Sequence, residues 1–182
     1  MEITTIIAKD GTKSKFRQLA QDDGLALSEF FNKLSRQTLS LFAPHPLTSE
    51  FATELCANLL IQNTPRFVLA CGENIIGYFI LQAQMSAHEA LRYEQHGIVL
   101  KAGEDLLFAP CIADLFQNKG FASQVMVMLI NHYQSRVRSF VLMGGTQETN
   151  LLGRHFYQKH GFKEYGGYQT DIYNIDMRLC FG

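Results

Sequence analysis

Apolar and polar positions follow two rhythms along this chain, one of period two and one of roughly three and a half. Residues 3–8 form a short β-rich run, Asp10-Gly11-Thr12 a turn, and residues 16–20 a return strand with Phe16 and Leu19 as its apolar content. Leu25, Leu27, Phe30, Phe31, Leu34, Leu39, Leu41 and Phe42 then recur at helical spacing, with Asp22 or Asp23 placed to cap the helix. Ala43-Pro44-His45-Pro46 breaks that pattern. Thr48 or Ser49 caps a second helix carrying Phe51, Leu55, Leu59 and Leu60. Strands follow at 67–70 and 75–83 around Gly72-Glu73-Asn74, and residues 86–95 read as a short helical excursion.

The second half is more regular. An apolar run at 106–115 predicts a buried strand over 105–114, although Pro110 inside it demands a bulge or a place where neighbouring strands part. A helix is expected over 121–133, a strand over 139–143 ending at Gly144-Gly145, and a helix from Thr149 or Asn150 to Lys159, stopped by His160-Gly161. Strands at 163–168 and 171–179 close the chain. The order predicts a mixed α/β (α+β) fold, and 182 residues suit a single domain with a full core.

Composition narrows the function classes. A net charge of −1 leaves no basic footprint for nucleic acid and no polybasic membrane anchor. No apolar run approaches the ~20 residues that span a bilayer, and the first residues lack the basic-then-apolar pattern of a signal peptide, so the cytoplasm is the expected compartment. Cys56, Cys71, Cys111 and Cys180 form no Cys-x-x-Cys pair and lie in apolar segments, which predicts buried free thiols. The six histidines show no metal-ligand spacing, so no metal is expected.

The chemistry concentrates at Gln117-Asn118-Lys119-Gly120-Phe121-Ala122, between the 105–114 strand and the 121–133 helix. Amides at a helix start lack intrahelical partners, and with the positive end of the dipole they favour a phosphate. Gly120 lets a ligand approach the backbone, Ala122 keeps the first turn small, and Lys119 can add charge. The stretch is neither a Walker loop nor a three-glycine dinucleotide fingerprint. Read alone, it is either a pyrophosphate cradle or an ordinary strand-to-helix turn.

Two blocks together carry a resemblance. The first is the strand end Ile112-Ala113-Asp114 with Gln117-x-x-Gly120-x-Ala122 opening a helix. The second is Asn150 followed by Gly153, Tyr157 and, after the helix, Gly161-Phe162. In this order, with a strand between, they resemble the GNAT superfamily of acyl-CoA-dependent N-acetyltransferases. Gln117 stands where Arg is commoner, Ala122 where the last Gly is, Asp114 where Pro is frequent, and Gly153 where Ala is frequent.

The resemblance implies a mostly antiparallel sheet with splayed strands flanked by helices, and acetyl-CoA as co-substrate. The pyrophosphate would lie on the amides of Asn118, Lys119, Gly120, Phe121 and Ala122, and the pantetheine arm along Ile112, Ala113 and Asp114. Asn150 would bond the arm near the thioester, and Tyr157 would protonate the leaving thiolate. Residues 66–182 would hold acyl-CoA and residues 1–65 would shape a pocket for the amine of a small molecule or peptide. By pattern alone Tyr157 can equally pair with Phe156 in a core, and Asn150 can simply cap its helix. Glu104, Asp105 and Glu148 are either bases or solvated turn carboxylates, and Phe30, Phe31 and Phe42 either core or acceptor wall. Met126, Met128 and Met143 read as core packing. The alternative to an N-acetyltransferase is a non-catalytic acyl-CoA-binding or sensing module, and beyond it a phosphate-binding α/β protein of another kind. An open β edge near 171–179 could pair two copies into a homodimer.

Overall fold

The computed structural model describes residues 3–62 and 64–182. Among the described residues, eight strands form one sheet in the order β1-β2-β3-β4-β5-β6-β8-β7. β5 and β6 run parallel, whereas β1–β2, β2–β3, β3–β4, β6–β8 and β7–β8 are antiparallel. The chain divides into two compact units, Met1–Ile80 with Pro110–Val125, and Leu81–Ala109 with Met126–Gly182.

In the first unit, β1 (Thr4–Ile7) pairs with β2 (Lys13–Gln18). β2 begins ahead of the expected 16–20 because its buried face starts at Ser14, a residue with no apolar signal. α1 (Gly24–Asn32) buries Leu27, Phe30 and Phe31. Asp23 does not cap it: that carboxylate takes both guanidinium prongs of Arg17, at 2.6 and 2.7 Å, and the Ala20 N–H. The helical spacing expected to run on to Phe42 is interrupted, and α2 (Arg36–Ser40) starts anew behind its own N-cap, Ser35. α3 (Ser49–Ala57) is capped by Thr48, as the sequence implies, and the one-turn α4 (Leu59–Gln62) follows.

The hairpin of β3 (Arg66–Cys71) and β4 (Asn74–Gln82) carries the core of this unit. Period-two alternation sorts its side chains. Phe67 and Phe79 are register partners, and Phe16 stacks on Phe67 at 5.4 Å and meets Phe79 edge-on at 5.7 Å. Tyr78 points to the opposite face, where Phe31 packs at 5.7 Å. Each of these fully buried rings contributes roughly 1.5–3 kcal/mol through the apolar area it removes from water.

In the second unit, α5 (Ala87–Glu94) opens on a capping box of Ser86 and Glu89. β5 (Asp105–Ile112) starts here, in register with β6 at Asp105↔Ser139, Leu106↔Phe140 and Leu107↔Val141. Pro110 lies past these three pairs, where its missing N–H costs no bond of that ladder. β6 (Ser139–Gln147) continues beyond the expected end at Gly144-Gly145, with a register shift against β8 between Leu142 and Thr146. The extra residues are held because the Gly144 N–H donates to Asp176 Oδ1 at 2.6 Å. α7 (Leu151–Lys159), β7 (Lys163–Gln169) and β8 (Tyr173–Cys180) complete the unit. β8 is paired on both sides, by β6 and β7, and β7 is the outer strand.

α6 (Phe121–Tyr133) spans the residues its apolar period predicts. Among the cysteines, Cys56 and Cys111 are buried as expected, but Cys71 is half-buried and Cys180 exposed.

Candidate functional site

β5 ends at Ile112, two residues before the sequence suggests, and a 3-10 turn, Asp114–Phe116, replaces the strand end. The Ala113 N–H donates to the Ile76 carbonyl at 2.9 Å, so this amide is closed to a ligand. The Ile112 carbonyl accepts from Gln117 Nε2 at 3.0 Å. Two backbone groups expected to pair with a pantetheine arm are therefore already bonded within the protein. The Asp114 carboxylate turns toward α2. It accepts the Ser35 N–H at 3.0 Å, the Ser35 hydroxyl at 2.6 Å and the Thr38 hydroxyl at 2.7 Å. Burial works to raise its pKa, but these donors outweigh it and hold the carboxyl below its usual range.

The turn that follows carries two left-handed residues. Asn118 (φ +60°) and Gly120 (φ +89°) lie in the left-handed region. Backbone excursions of this kind gather successive N–H groups into a concavity. Gln124 makes a first i→i−4 bond of α6, from its N–H to the Gly120 carbonyl, so the amides just ahead of it lie outside the helical ladder. The turn is braced from β1 and its loop: the Lys9 N–H donates to the Lys119 carbonyl at 3.1 Å, and Gln124 Nε2 to the Ile7 carbonyl at 2.9 Å. Lys119 spends part of its charge on Asp10, at 2.9 Å, which holds that carboxyl down at about 2. Phe121 is buried and anchors the helix start.

Asn150 is the N-cap of α7, its side-chain oxygen accepting the Gly153 N–H at 2.9 Å. A Cβ at position 153 would stand 2.6 Å from Asn150 Nδ2, so glycine leaves room for the capping side chain. Tyr157 is 7% exposed and packs between Phe156 (5.1 Å) and Phe162 (5.3 Å). The carboxylates weighed as bases fare differently. Asp105 is wholly buried rather than solvated: it accepts from Ser139, Arg178 and the Lys101 N–H, and they hold it ionised against the burial that opposes its charge. Glu104 is exposed and ion-paired with Lys101 and Arg138, and Glu148 is exposed.

The structure adds two features. A cavity of about 240 Å³ lies between α1, the β3–β4 turn and residues 113–116; its walls include Phe30, Ile76, Asp114 and Phe116. Beside α3, Arg66 Nη1 donates to the Tyr78 hydroxyl at 2.7 Å, which lies 3.2 Å from His45 Nε2. His45 Nδ1 faces the Pro46 carbonyl at 2.8 Å. An Nδ1–H to that carbonyl leaves Nε2 as acceptor for the Tyr78 proton, so three donors align in one direction. Phe31 and Phe42 pack around His45 and Tyr78, whereas Phe30 lines the cavity.

No protein-family model and no curated protein sequence matches the chain. Solved structures do. The GNAT domain of S. lividans PAT superposes with a TM-score of 0.73 at 14% identity, covering 98% of this chain and 96% of its own. The ribosomal-protein-S5-alanine acetyltransferase of Vibrio fischeri gives 0.71 at 13%, with 98% and 97% covered. A ribosomal L7/L12 alpha-N-protein acetyltransferase in complex with coenzyme A gives 0.67 at 15%, with 97% and 96% covered.

The chain has the GNAT fold. The first sequence block lies on a strand–turn–helix, and the second on a helix capped by Asn150 and followed by Gly161 in the left-handed region. Among the described residues no His, Cys, Asp and Glu group could hold a metal ion, and no helix is long and apolar enough to cross a membrane.

Proposed function

We propose that this chain is an N-acetyltransferase that moves an acetyl group from acetyl-CoA to a primary amine of a small molecule or peptide. The observation that carries the reading is the turn at 117–122, with positive φ at Asn118 and Gly120 ahead of the first bonded turn of α6. The amides of Asn118, Lys119, Gly120, Phe121 and Ala122 hold the pyrophosphate. Since the Ala113 N–H is bonded to Ile76, the groups along Ile112, Ala113 and Asp114 that remain for the pantetheine arm are fewer than a strand end would offer. Asn150 orients the arm through its side-chain amide while capping α7.

Acetyl-CoA supplies the thioester; the protein supplies aim and protons. The amine nitrogen bonds to the carbonyl carbon, and a backbone N–H of β5 stabilises the oxyanion. As the C–S bond breaks, the Tyr157 hydroxyl gives its proton to the departing sulfur and is restored from the proton the amine loses. A phenol near ~10 and a thiol near ~8.5 lie close enough for this transfer. Residues 1–65 shape the acceptor site, and the near-neutral net charge of −1 suits acceptors that are not strongly basic. The free thiols fit a reducing compartment, the cytoplasm.

The tight packing of Tyr157 between Phe156 and Phe162 favours a second reading, an acyl-CoA-binding module without turnover. Thiol release from acetyl-CoA across a panel of amines, with calorimetric CoA binding in parallel, separates the two. Turnover lost in Tyr157→Phe with CoA affinity retained supports the enzyme. Full turnover in Tyr157→Phe removes the acid role, and binding without turnover by any amine supports the module.

A further inference from the structure

Asp114 belongs to the turn by sequence but to α2 by contact. Its carboxylate gathers three donors from Ser35 and Thr38, residues 79 and 76 positions away. Gln117, the first residue of the proposed cradle, joins the same group: its Nε2 reaches Thr38 Oγ1 at 3.3 Å and the Ile112 carbonyl at 3.0 Å. The peptide between Asp114 and Gln117 is stiff, because the Phe116 N–H donates to Ala113 and the Gln117 N–H to Asp114. Ser35 is also the hinge between α1 and α2, capping α2 through the Thr38 N–H. The same turn and α1 both line the 240 Å³ cavity, through Asp114 and Phe116 and through Ala26 and Phe30.

We propose that Asp114 is a positioning residue that ties the α1–α2 corner to the anion-binding turn, so that CoA seated on the turn orders the segment shaping the acceptor site. The inference rests on the CoA reading above. An anion on the amides of 118–122 restrains the backbone of Gln117. Gln117 restrains Thr38 directly, and the 3-10 turn restrains Asp114 and through it Ser35. Occupation of the donor side thereby steadies contacts that reach the acceptor side, a coupling between two ligands of the kind that runs through shared contacts.

Amide hydrogen exchange with and without CoA tests this in the full chain, and no acceptor needs to be known. In the natural protein CoA slows exchange at 117–124 and also at 35–41, the latter by about fivefold or more. In Asp114→Ala the slowing at 117–124 persists while that at 35–41 falls below about twofold. Thr38→Val, which keeps the carboxylate but removes the shared hydroxyl, gives an intermediate response and serves if Asp114→Ala folds poorly. Slowing at 117–124 with none at 35–41 in the natural protein overturns the inference and leaves the CoA reading standing. An undiminished response at 35–41 in Asp114→Ala also overturns it. No slowing in either segment overturns the CoA reading, and the inference with it.

Discussion

Arg92 and Asp176 form a two-pronged ion pair, Nε to Oδ2 at 2.8 Å and Nη2 to Oδ1 at 3.0 Å, in which the carboxylate side chain is 1% exposed and the guanidinium 11%. The pair joins α5 to β8. Asp176 Oδ1 also takes the Gly144 N–H, and the Arg92 guanidinium lies 4.4 Å from the centre of the Tyr168 ring. Next to it in sequence, the Tyr93 hydroxyl stands 2.9 Å from the Leu142 carbonyl and 2.7 Å from that of Met177. One helix thus fastens β6 and β8 where their register shifts. Burying the charge is costly, and three well-placed donors offset that cost.

Removing one partner of this pair leaves the other stranded. Arg92→Ala is expected to lower stability by about 3–5 kcal/mol. Asp176→Asn keeps an acceptor for the Gly144 N–H and costs less than Asp176→Ala. Urea unfolding monitored by circular dichroism reads all three, and a loss below about 1 kcal/mol for Arg92→Ala places the pair among contacts that contribute little.

The ring of His45 stacks on Phe51 at 4.1 Å and meets Phe42 at 5.2 Å. Burial pushes its pKa down to about 4, Arg66 adds to the drop, and the Pro46 carbonyl opposes it. The folded value lies below the unfolded one, near ~6.5. Between those values the unfolded chain binds the extra proton, so stability rises with pH from about 4 to ~6.5 and is flat above. The loss on acidification is at most about 3 kcal/mol. His45→Gln cannot take up this proton. The stability difference between the natural protein and His45→Gln, measured from pH 4 to 7, is expected to climb through that window; a constant difference removes His45 as its source.

Local signals were legible in the sequence wherever a short-range pattern governs the outcome. The α6 period and the Thr48 cap both lie within a few residues of what they determine. The α1–α2 break was only half legible: Ser35 is a local N-cap, but its bond to Asp114 joins a partner 79 positions away that no local spacing records. The carboxylate at Asp23 looks like a cap but is claimed by Arg17 across a turn, and Asp105 looks like a solvated turn residue but meets Ser139 and Arg178 from strands far along the chain. At the candidate site, the turn was visible through Gly120, whereas the closure of the Ala113 amide by Ile76 depends on β4 lying alongside.

The cysteines should separate cleanly by reactivity. Burial raises the Cys111 thiol to about 12 and that of Cys56 to about 11, and a thiol rather than a thiolate reacts slowly. Cys180 is exposed and Cys71 half-buried on the cavity wall. A disulfide-exchange reagent under native conditions is expected to modify Cys180 first, Cys71 next, and Cys56 and Cys111 only on unfolding, as mass spectrometry of peptides would record. Early labelling of Cys111 would contradict its burial.

Gly120 and Asn118 give the sharpest test of the turn because their demands differ. A Cβ on Gly120 meets nothing closer than the Lys9 side chain at 3.6 Å, an ordinary contact, so space is not what requires glycine. The requirement is the φ of +89°, which costs a side chain roughly 1–2 kcal/mol. Gly120→Ala is therefore expected to lose about that much stability, or to relax the turn and lose CoA affinity by about tenfold, since 1.4 kcal/mol is a factor of ten in binding. Asn118→Gly relieves the same kind of strain and is expected to be neutral or to change stability by less than about 1 kcal/mol. Calorimetric CoA titration with parallel urea unfolding reads both variants. Unchanged affinity and unchanged stability in Gly120→Ala would mean that the left-handed turn is dispensable, and the amide cradle with it.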